Sequence, residues 1–262
     1  MEPTRPIPEY VPGHGLLVDR VVVVTAAAGM GIGAAVARKA VEEGATVVVS
    51  DVHERRLAES AEALAEISGV RPLSRVCDVR DEDQVTGLLD AAVAEHGRID
   101  VLVNNAGLGG DTRLVDMADE EWDRVLGISL TGTMRCTRAA MRIMGGQGHG
   151  VIVNNSSVLG WRAQIGQSHY AAAKAGVMAL TRCAAMEGVD LGVRVNCVAP
   201  SLATHPFLAK TSSEELLAEL ASREAFGRGA EPWEVANVVV FLASDYSSYL
   251  TGEVVSVSSQ RA

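Results

Sequence analysis

Residues 21–44, VVVVTAAAGMGIGAAVARKAVEEG, place a strand-like run, a glycine-rich turn and a helix-forming segment in immediate succession. The four consecutive valines predict a buried β-strand, because β-branched side chains favour strands and an unbroken apolar run suits a strand covered on both faces. Glycines at positions 29, 31 and 33 permit positive φ angles and the close approach of another backbone. The alanine-rich segment after them favours a helix. The stretch therefore predicts the first strand–turn–helix unit of an α/β fold.

The same alternation of short apolar runs and longer helical patterns continues along the chain. After 21–25, the predicted strands lie at 46–51, 75–79, within 99–107, 150–158, 193–200 and 253–258. One long helix is predicted over residues 120–144. Seven apolar strands separated by helices predict a Rossmann-type, doubly wound α/β fold with a seven-stranded parallel sheet. No linker interrupts residues 16–262, so they are predicted to form a single domain, with its ligand site at the carboxyl ends of the strands.

Composition excludes several classes of function. The 262 residues carry a formal net charge of −10, which argues against nucleic acid as a partner and against docking on an anionic membrane. The four cysteines (Cys77, Cys136, Cys183 and Cys197) form no CxxC pair, and no Cys or His cluster has the spacing of metal ligands. We therefore expect no metal site and a reducing, cytoplasmic location.

The N-terminal segment 1–15, MEPTRPIPEYVPGHG, differs in composition from the rest. It contains four prolines and lacks the apolar region of a signal peptide. The prolines predict an extended arm that is either poorly ordered or lies on a neighbour.

The glycine-rich loop at 25–33 is suited to a dinucleotide, because the N-terminus of the helix after it offers unpaired N–H groups to a pyrophosphate. Tight strand-to-helix turns also need glycine for packing alone. Asp51 closes the second predicted strand, where an acid can bind both adenosine ribose hydroxyls and repel a 2′-phosphate. This favours NAD over NADP. Two alternatives stay open, since Asp51 can instead cap the next helix and Arg55 or Arg56 can reach a 2′-phosphate.

The stretch SHYAAAKAG, residues 168–176, places a tyrosine and a lysine four positions apart. Alanine favours a helix, so Tyr170 and Lys174 should lie one turn apart on the same helical face. A surface helix can carry such a pair by chance, so the pair alone decides nothing.

Together these motifs resemble the short-chain dehydrogenase/reductase family over residues 16–258. The matching residues are the loop 25–33, Asp51, Asp78-Val79, Asn104-Asn105-Ala106-Gly107, Ser157, Tyr170-x-x-x-Lys174, Arg194-Val195-Asn196, Ala199-Pro200 and Thr251-Gly252. A YxxxK pair is common in unrelated proteins. A serine 13 residues upstream of it, with the other motifs in the same order, is highly specific.

The resemblance implies roles for particular residues. Tyr170 would be the general acid/base for a carbonyl/alcohol pair, Ser157 would bind the same oxygen, and Lys174 would hold the nicotinamide ribose and lower the pKa of the tyrosine. A unit charge about 4 Å away supplies about 4 kcal/mol at an effective dielectric near 20, enough to move a phenol pKa from about 10 to about 7. The oxidised nicotinamide would add a second positive charge. The implied cofactor-binding residues are Thr25, Ala27, Gly29, Gly31, Ile32, Gly33, Asp51, Asp78, Val79, Asn105, Ala106, Gly107, Tyr170, Lys174, Pro200 and Ser201.

Three positions depart from the family pattern. Ala26 stands where the family usually has glycine, in a loop one residue longer than usual, and Ser201 replaces another common glycine. Ser129 stands in place of asparagine, the usual fourth catalytic residue, whose backbone carbonyl would hold a proton-relay water.

The substrate side is defined less sharply by the sequence. The resemblance implies a substrate lid at about 202–226, and His169 is expected to lie behind the site or at an interface. The residues expected to line the pocket, each equally compatible with a packing or surface role, are Trp161, Gln164, Gln167 and Phe207.

Two classes of function follow from these residues. The first is an NAD(H)-dependent oxidoreductase that interconverts a secondary alcohol and a ketone. The resemblance implies a hydroxyacyl thioester of CoA or a carrier protein, or a sterol-derived ring, as its substrate, and a homotetramer as its assembly. The alternative is a non-catalytic dinucleotide-binding regulatory protein that kept the fold. Ser129 and the altered loop motivate the alternative, whereas Ser157, Tyr170 and Lys174 argue against it.

Overall fold

The structure of the protein is a computed structural model that describes residues 5–204 and 214–259. Within those residues the strands are β1 (Val21–Val24), β2 (Thr46–Asp51), β3 (Leu73–Val76), β4 (Val101–Asn104), β5 (Gly150–Asn155), β6 (Val193–Pro200) and β7 (Val254–Val257). They pair in parallel in the order β3-β2-β1-β4-β5-β6-β7. The predicted seven-stranded, doubly wound parallel sheet is confirmed. The strand order reverses between β1 and β4, and a crevice for a ligand is expected at such a point.

The helices alternate with the strands. They are α1 (Ile32–Glu42), α2 (Glu54–Ser68), α3 (Glu82–His96), α4 (Asp119–Leu126), α5 (Thr133–Gln147), α6 (Ser168–Gly188), α7 (Glu214–Arg223) and α8 (Pro232–Ala243). The prediction of one long helix over 120–144 is wrong in one respect, because a π-helical turn at Gly127–Gly132 joins α4 to α5. Gly132 approaches Val79 so closely that an added Cβ would lie 2.5 Å from Val79 Cγ2, so the turn is fitted to the segment that follows β3.

The valines of β1 show why the sheet is covered on both faces. Val22 and Val24 belong to a core cluster that includes residues of α1, α2 and α8, whereas Val23 belongs to a second cluster with residues of α3 and α5. Alternate side chains of a strand point to opposite faces, so an unbroken apolar run requires two apolar layers. Each such buried valine contributes on the order of 1.5–3 kcal/mol to folding.

A strand ends at a different residue from the predicted one where its pairing with the neighbouring strand sets its length. The third strand was predicted at 75–79, but β3 starts at Leu73 and ends at Val76. Among the described strands it pairs with β2 alone, in a register that sets Val48 against Leu73 and Asp51 against Val76. Because β2 ends at Asp51, the chain after Val76 leaves the sheet.

The proline-rich arm, as far as the structure describes it, lies on α1 and α8 of its own chain. The Tyr10 ring packs edge-on against Trp233 with centroids 5.3 Å apart, and its hydroxyl donates to Glu42. The buried Lys39 ammonium donates to the carbonyl of Val11. The arm thus supplies an acceptor to a buried lysine whose other partner is the buried carboxylate of Glu43, 3.7 Å away.

Candidate active site

A cleft of about 310 Å³ opens at the carboxyl ends of the central strands. Its lining residues come from the start of α1, the ends of β5 and β6 with the segments after them, the start of α6, and α7. They are Ile32, Asn155, Ser156, Ser157, Val158, Leu159, Arg162, Ala163, Gln164, Tyr170, Pro200, Ser201, Leu202, Ala203, Leu220 and Arg223. Ser157 and Tyr170, both singled out from the sequence, therefore share one cavity with Pro200 and Ser201.

Ser157 and Tyr170 contact each other across this cleft. Ser157 follows β5, where its hydroxyl accepts from Leu159 N at 3.2 Å and caps a short turn. The same hydroxyl lies beside the phenol of Tyr170, near the start of α6, and acts to lower the pKa of that phenol. Lys174 Nζ lies 5.5 Å from the centre of the Tyr170 ring. The tyrosine and the lysine therefore share one helical face, as their spacing predicts.

The ionisation of the pair differs from the sequence expectation. Burial raises the pKa of Tyr170, and the neighbouring Ser157 hydroxyl opposes that rise. Burial also lowers the pKa of Lys174 to about 8, so the ammonium is still mostly protonated at pH 7. Lys174 Nζ donates to Asn155 O at 2.6 Å. In this structure Lys174 alone therefore does not lower the pKa of the phenol. Desolvation of the phenol has the larger effect, and the ammonium of Lys174 donates to a different acceptor.

Ser129 is fully buried in the π-helical turn and holds the loop after β4. Its hydroxyl accepts from Leu108 N at 2.9 Å and donates to Leu108 O at 3.0 Å, while its own carbonyl accepts from Thr133 Oγ1 at 2.9 Å. The loop passes close to the lysine, since a Cβ on Gly107 would lie 3.2 Å from Lys174 Nζ and 3.7 Å from Ser129 Oγ. A serine in place of the usual asparagine thus still ties this loop to the helix.

The glycine-rich loop is held against the end of β4. Ala26 has a φ of +50°, in the left-handed region that a glycine would occupy with less strain. The side-chain amide of Asn105 donates to Ala26 O at 3.0 Å and to Thr25 O at 3.3 Å. An added Cβ on Gly33 would lie 2.3 Å from Ala26 O and 2.4 Å from Asn105 Nδ2, so this position admits only glycine.

The start of α1 fits a nucleotide pyrophosphate. No side chain caps the helix at Gly31. An added Cβ on Gly29 or Gly31 would meet nothing within 4 Å, so there is space for a ligand beside this turn, where Gly29 N donates to Ser60 Oγ at 3.1 Å. An uncapped helix N-terminus favours an anion through its N–H groups and its dipole.

Asp51 lies directly beside this loop. Its carboxylate accepts from Ala28 N at 3.2 Å and from His53 N at 3.0 Å, and burial raises its pKa. The N-cap residue of α2 is His53, so the simple capping alternative for Asp51 is wrong.

Asp78 is engaged by a neighbour. Its carboxylate receives three hydrogen bonds from the Arg80 guanidinium at 2.6–3.1 Å, and these hold the pKa of Asp78 below its usual value. The N-cap of α3 is Asp81. Asp78 is therefore not a helix cap, and its role in binding the cofactor stays a prediction.

The substrate-side residues divide between the cleft and other places. Gln164 lines the cleft, whereas Trp161 is 52 % exposed and does not line it, because the chain turns at this point and Arg162 and Ala163 form the wall instead. Gln167 also does not line the cleft, since its amide donates to Gly110 O in the loop after β4. Phe207 lies outside the described residues, as do residues 205–213 of the predicted lid.

A buried network beside Tyr170 was not predicted as a unit. His169 is fully buried, with Nε2 3.3 Å from Glu121 Oε1, and Thr112 Oγ1 donates to both Glu121 oxygens at 2.8 and 2.9 Å. Gly110 packs on the imidazole so closely that a Cβ would lie 2.4 Å from His169 Nε2. His169 lies 48 residues beyond Glu121, and Thr112 lies 9 residues before it, so no local signal connects the three. They fasten the loop after β4 to the start of α6.

The family follows from a comparison with known proteins. The family model described as "Enoyl-(Acyl carrier protein) reductase" (adh_short_C2) matches residues 26–259. The chain belongs to the short-chain dehydrogenase/reductase family. The resemblance stated from the sequence motifs is thereby confirmed.

Individual members of this family resemble the chain over nearly its whole length. It is 64 % identical over 254 residues, 97 % of either protein, to a (5R,7aS)-5-hydroxy-7a-methyl-1-oxo-2,3,5,6,7,7a-hexahydro-1H-indene-carboxyl-CoA reductase of Mycobacterium tuberculosis. It is 46 % identical to a cis-4-hydroxycyclohexanecarboxylate dehydrogenase of Sinomonas cyclohexanicum, over 91 % of this chain and 95 % of that protein. The crystal structure of a short chain dehydrogenase from Mycobacterium smegmatis superposes with a TM-score of 0.87 at 60 % identity, covering 97 % of this chain and 98 % of the other.

These likenesses establish the general chemistry. The protein is an oxidoreductase that acts on CH–OH groups, and its family binds a nicotinamide dinucleotide. Among residues 5–204 and 214–259, no three His, Cys, Asp or Glu side chains are grouped so as to hold a metal ion. Over the same part of the chain, no helix has both the length and the apolar character needed to cross a membrane.

Proposed function

We propose that this short-chain dehydrogenase/reductase interconverts a ring alcohol and a ring ketone carried as a CoA thioester, using NAD(H). The observation that carries the chemistry is the convergence of Ser157 and Tyr170 in one cleft, with Lys174 on the same helical face as the tyrosine. Support for the substrate class comes from two relatives, whose names specify a hydroxylated ring bearing a carboxyl-CoA or a carboxylate. A sterol-derived bicyclic ring is the favoured member of this class, ahead of a linear 3-hydroxyacyl thioester.

In this mechanism, Tyr170 exchanges the hydroxyl proton of the substrate, and Ser157 fixes the same oxygen through its hydroxyl. The bound dinucleotide supplies the hydride donor or acceptor. Lys174 keeps a positive charge behind the phenol and orients the cofactor ribose, while its bond to Asn155 O fixes the ammonium at 2.6 Å. Ser129 acts indirectly, by holding the loop at Gly107 and Leu108 beside that ammonium.

The proposed cofactor contacts lie in the first half of the chain. Asp51 binds the adenosine ribose hydroxyls, the open N-terminus of α1 after Gly31 binds the pyrophosphate, and Asp78 with Val79 binds the adenine. Thr25, Ala27, Gly29, Ile32 and Gly33 form the rest of this cradle, and Asn105, Ala106, Gly107, Pro200 and Ser201 border the nicotinamide half. NAD is favoured because a 2′-phosphate would meet the partly buried carboxylate of Asp51.

The catalytic proposal is tested by following the absorbance of NADH while the enzyme is offered ring ketones and linear 3-oxoacyl groups, both as CoA thioesters. Tyr170→Phe should lose at least about a hundredfold in kcat, the usual contribution of a general acid/base. Tyr249→Phe is the matched control, since that tyrosine is fully exposed and far along the chain. Binding of NADH without turnover of any carbonyl by the wild type would instead favour the non-catalytic alternative.

The cofactor proposal has its own test in the dissociation constants of NADH and NADPH, read from cofactor fluorescence. Wild type should bind NADH more tightly than NADPH. Asp51→Ser should bring the two dissociation constants closer together, because it weakens the binding of NADH and removes the carboxylate that repels the 2′-phosphate of NADPH. Equal binding of both cofactors by the wild type would refute the role of Asp51 and would favour a contact of Arg55 or Arg56 with the 2′-phosphate.

We also propose that the protein works in the cytoplasm as a homotetramer, with residues 202–226 as a substrate lid. Its four cysteines are free thiols, which suits a reducing compartment. Light-scattering mass in solution tests the tetramer. A monomeric mass over a wide concentration range would refute it.

A further inference from the structure

The N-terminal arm, described from residue 5 onward, contacts the substrate side of the molecule as well as α1. The guanidinium of Arg5 lies over the ring of Phe226, 5.2 Å from the ring centre, and the Arg5 carbonyl accepts from Arg228 Nε at 3.3 Å. Phe226 and Arg228 belong to residues 224–231, which join α7 to α8 and which we call the connector. Because later residues of the arm are held on α1, the arm ties α1 to the connector.

The connector supports two parts of the cleft wall. It follows directly on α7, whose Leu220 lines the cleft. Near its other end, Ala230 N donates to Leu202 O at 2.8 Å, and Leu202 and Ala203 line the cleft as well. Gly229 fits closely against the same segment, since an added Cβ would lie 3.0 Å from Leu202 O. A displacement of the connector would therefore carry both parts of the wall with it.

A cavity borders the connector, so packing does not fix the connector on every side. The cavity has a volume of about 160 Å³, and Phe226, Arg228 and Ala230 line it. The buried Glu224 lines it too, and its Oε1 atom has no hydrogen-bond partner among the described residues. Side chains beside a void lose attractive contacts on that side. Contacts made elsewhere on the connector, including those of the arm, therefore contribute more to its position.

Arg228 fastens the arm to α8. Its guanidinium donates to the two carboxylate oxygens of Glu234 at 2.6 and 2.8 Å, and its Nε donates to the Arg5 carbonyl. Two parallel bonds to one carboxylate allow the guanidinium a single orientation. The carbonyl of the arm therefore meets a donor whose direction is already set by α8.

The arm is also fixed beyond these contacts, so it can hold the connector in place. Glu43 Oε2 accepts from His14 N at 2.7 Å and from Leu16 N at 3.0 Å. Gly13 passes so close to α1 that an added Cβ would lie 2.1 Å from Glu42 O. The prolines of the arm restrict φ and so reduce the entropy that the arm loses when it docks.

We infer that the arm positions the connector through Arg5, so that the binding of the substrate ketone depends on the arm while the chemical step does not. This inference rests on the proposed function. Arg5 is a positioning residue, because it acts through Phe226 and Arg228 and does not itself line the cleft. Loss of its contacts lowers the fraction of molecules whose connector completes the cleft wall, and KM rises as that fraction falls.

The first readout is hydrogen exchange of the Phe226 and Ala230 amides in the enzyme without substrate, since both amides are hydrogen-bonded within the fold. Arg5→Gln should speed their exchange about two- to fivefold, the factor that corresponds to a cation–π contact at an exposed site. Deletion of residues 1–9 also removes the carbonyl that Arg228 binds, and it should speed exchange about tenfold.

The second readout is the kinetics with 4-oxocyclohexanecarboxyl-CoA and NADH. Arg5→Gln should raise KM for this ketone up to about fivefold, and the deletion should raise it further. The kcat and the dissociation constant of NADH should stay unchanged, because the contacts of Glu43 with the arm remain in both variants. Arg5→Lys should recover most of the KM of wild type, since an ammonium also binds the face of a ring.

Two further variants test whether the effect belongs to this contact. Arg71→Gln is the matched control, because Arg71 is an exposed arginine that pairs with Glu62 and contacts neither the arm nor the connector in any described interaction. It should change neither readout. In a Phe226→Leu background, Arg5→Gln should add nothing to KM or to exchange, because the ring that it contacts is already gone.

Unchanged exchange and unchanged KM in the deletion variant would overturn the inference. Faster exchange with an unchanged KM would overturn it as well, because the connector would then move without affecting substrate binding. Equal losses in kcat and in NADH binding would show a general destabilisation in place of a positioning role. If the wild type reduces no ring ketone, the proposed function fails, and the exchange rates of the deletion variant then decide whether the arm positions the connector.

Discussion

The buried ammonium of Lys174 should make the stability of the protein depend on pH in a defined direction. Burial lowers the pKa of Lys174 from 10.5 to about 8. Between these values the unfolded chain binds a proton that the folded chain has released, so the free energy of unfolding must rise with pH. At 1.36 kcal/mol per pKa unit, the full gain is about 3 kcal/mol.

The assay is urea unfolding of wild type and Lys174→Met, at one protein concentration and at several pH values between 7.5 and 10.5. The variant no longer titrates at this position, so the free energy of wild type minus that of the variant should increase by about 3 kcal/mol across the range. The difference is the informative quantity, because buried thiols such as Cys136, whose pKa is raised by burial, change stability in the opposite direction in both proteins.

A control is needed for the neighbouring phenol, whose pKa burial raises. Tyr170→Phe and the double variant Tyr170→Phe/Lys174→Met remove that titration from both members of the comparison. If the curves of the two proteins stay parallel from pH 7.5 to 10.5 in both backgrounds, the ammonium is not desolvated as the structure requires, and the reasoning fails.

Two further predictions concern the loops around the site. Gly33→Ala places a Cβ 2.3 Å from Ala26 O. It should therefore lower the free energy of unfolding, measured by urea titration, by about 1–3 kcal/mol. It should also weaken NADH binding, measured by cofactor fluorescence, at least about tenfold. Gly146→Ala is the control, because its Cβ would meet nothing within 4 Å. Glu121→Ala removes the partner of Thr112 and His169 and should raise KM for the ketone several-fold in NADH-coupled kinetics, with Glu121→Gln recovering part of the loss. Unchanged NADH binding in Gly33→Ala, or an unchanged KM in Glu121→Ala, would contradict the respective contact.

Much of the fold was readable from the sequence because its signals are local. The run VVVVT, the glycines after it and the alanine-rich helix act over a few residues each, and repetition of that unit leaves a doubly wound parallel sheet as the natural arrangement. The Tyr170–Lys174 spacing likewise needs only helical geometry. Boundaries were less predictable, since the end of β3 at Val76 depends on where its partner β2 ends.

Other features depend on residues that only the tertiary structure brings together. The π-helical turn at Ser129 is set by its bonds to Leu108 and by the contact of Gly132 with Val79, and no pattern within 120–144 encodes either. Trp161 was predicted from the sequence to line the substrate pocket, but its side chain is exposed beside the cleft.

The sequence by itself determined the strand–helix alternation, the order of the motifs and the identity of the chemical groups, because these depend on neighbours within a turn or two. The tertiary structure decided the environment of each group: the burial that raises the pKa of Tyr170 and lowers that of Lys174, and the convergence of Ser157 and Tyr170 on one cleft. Desolvation and long-range contact are properties of the packed chain, and a linear sequence does not contain them.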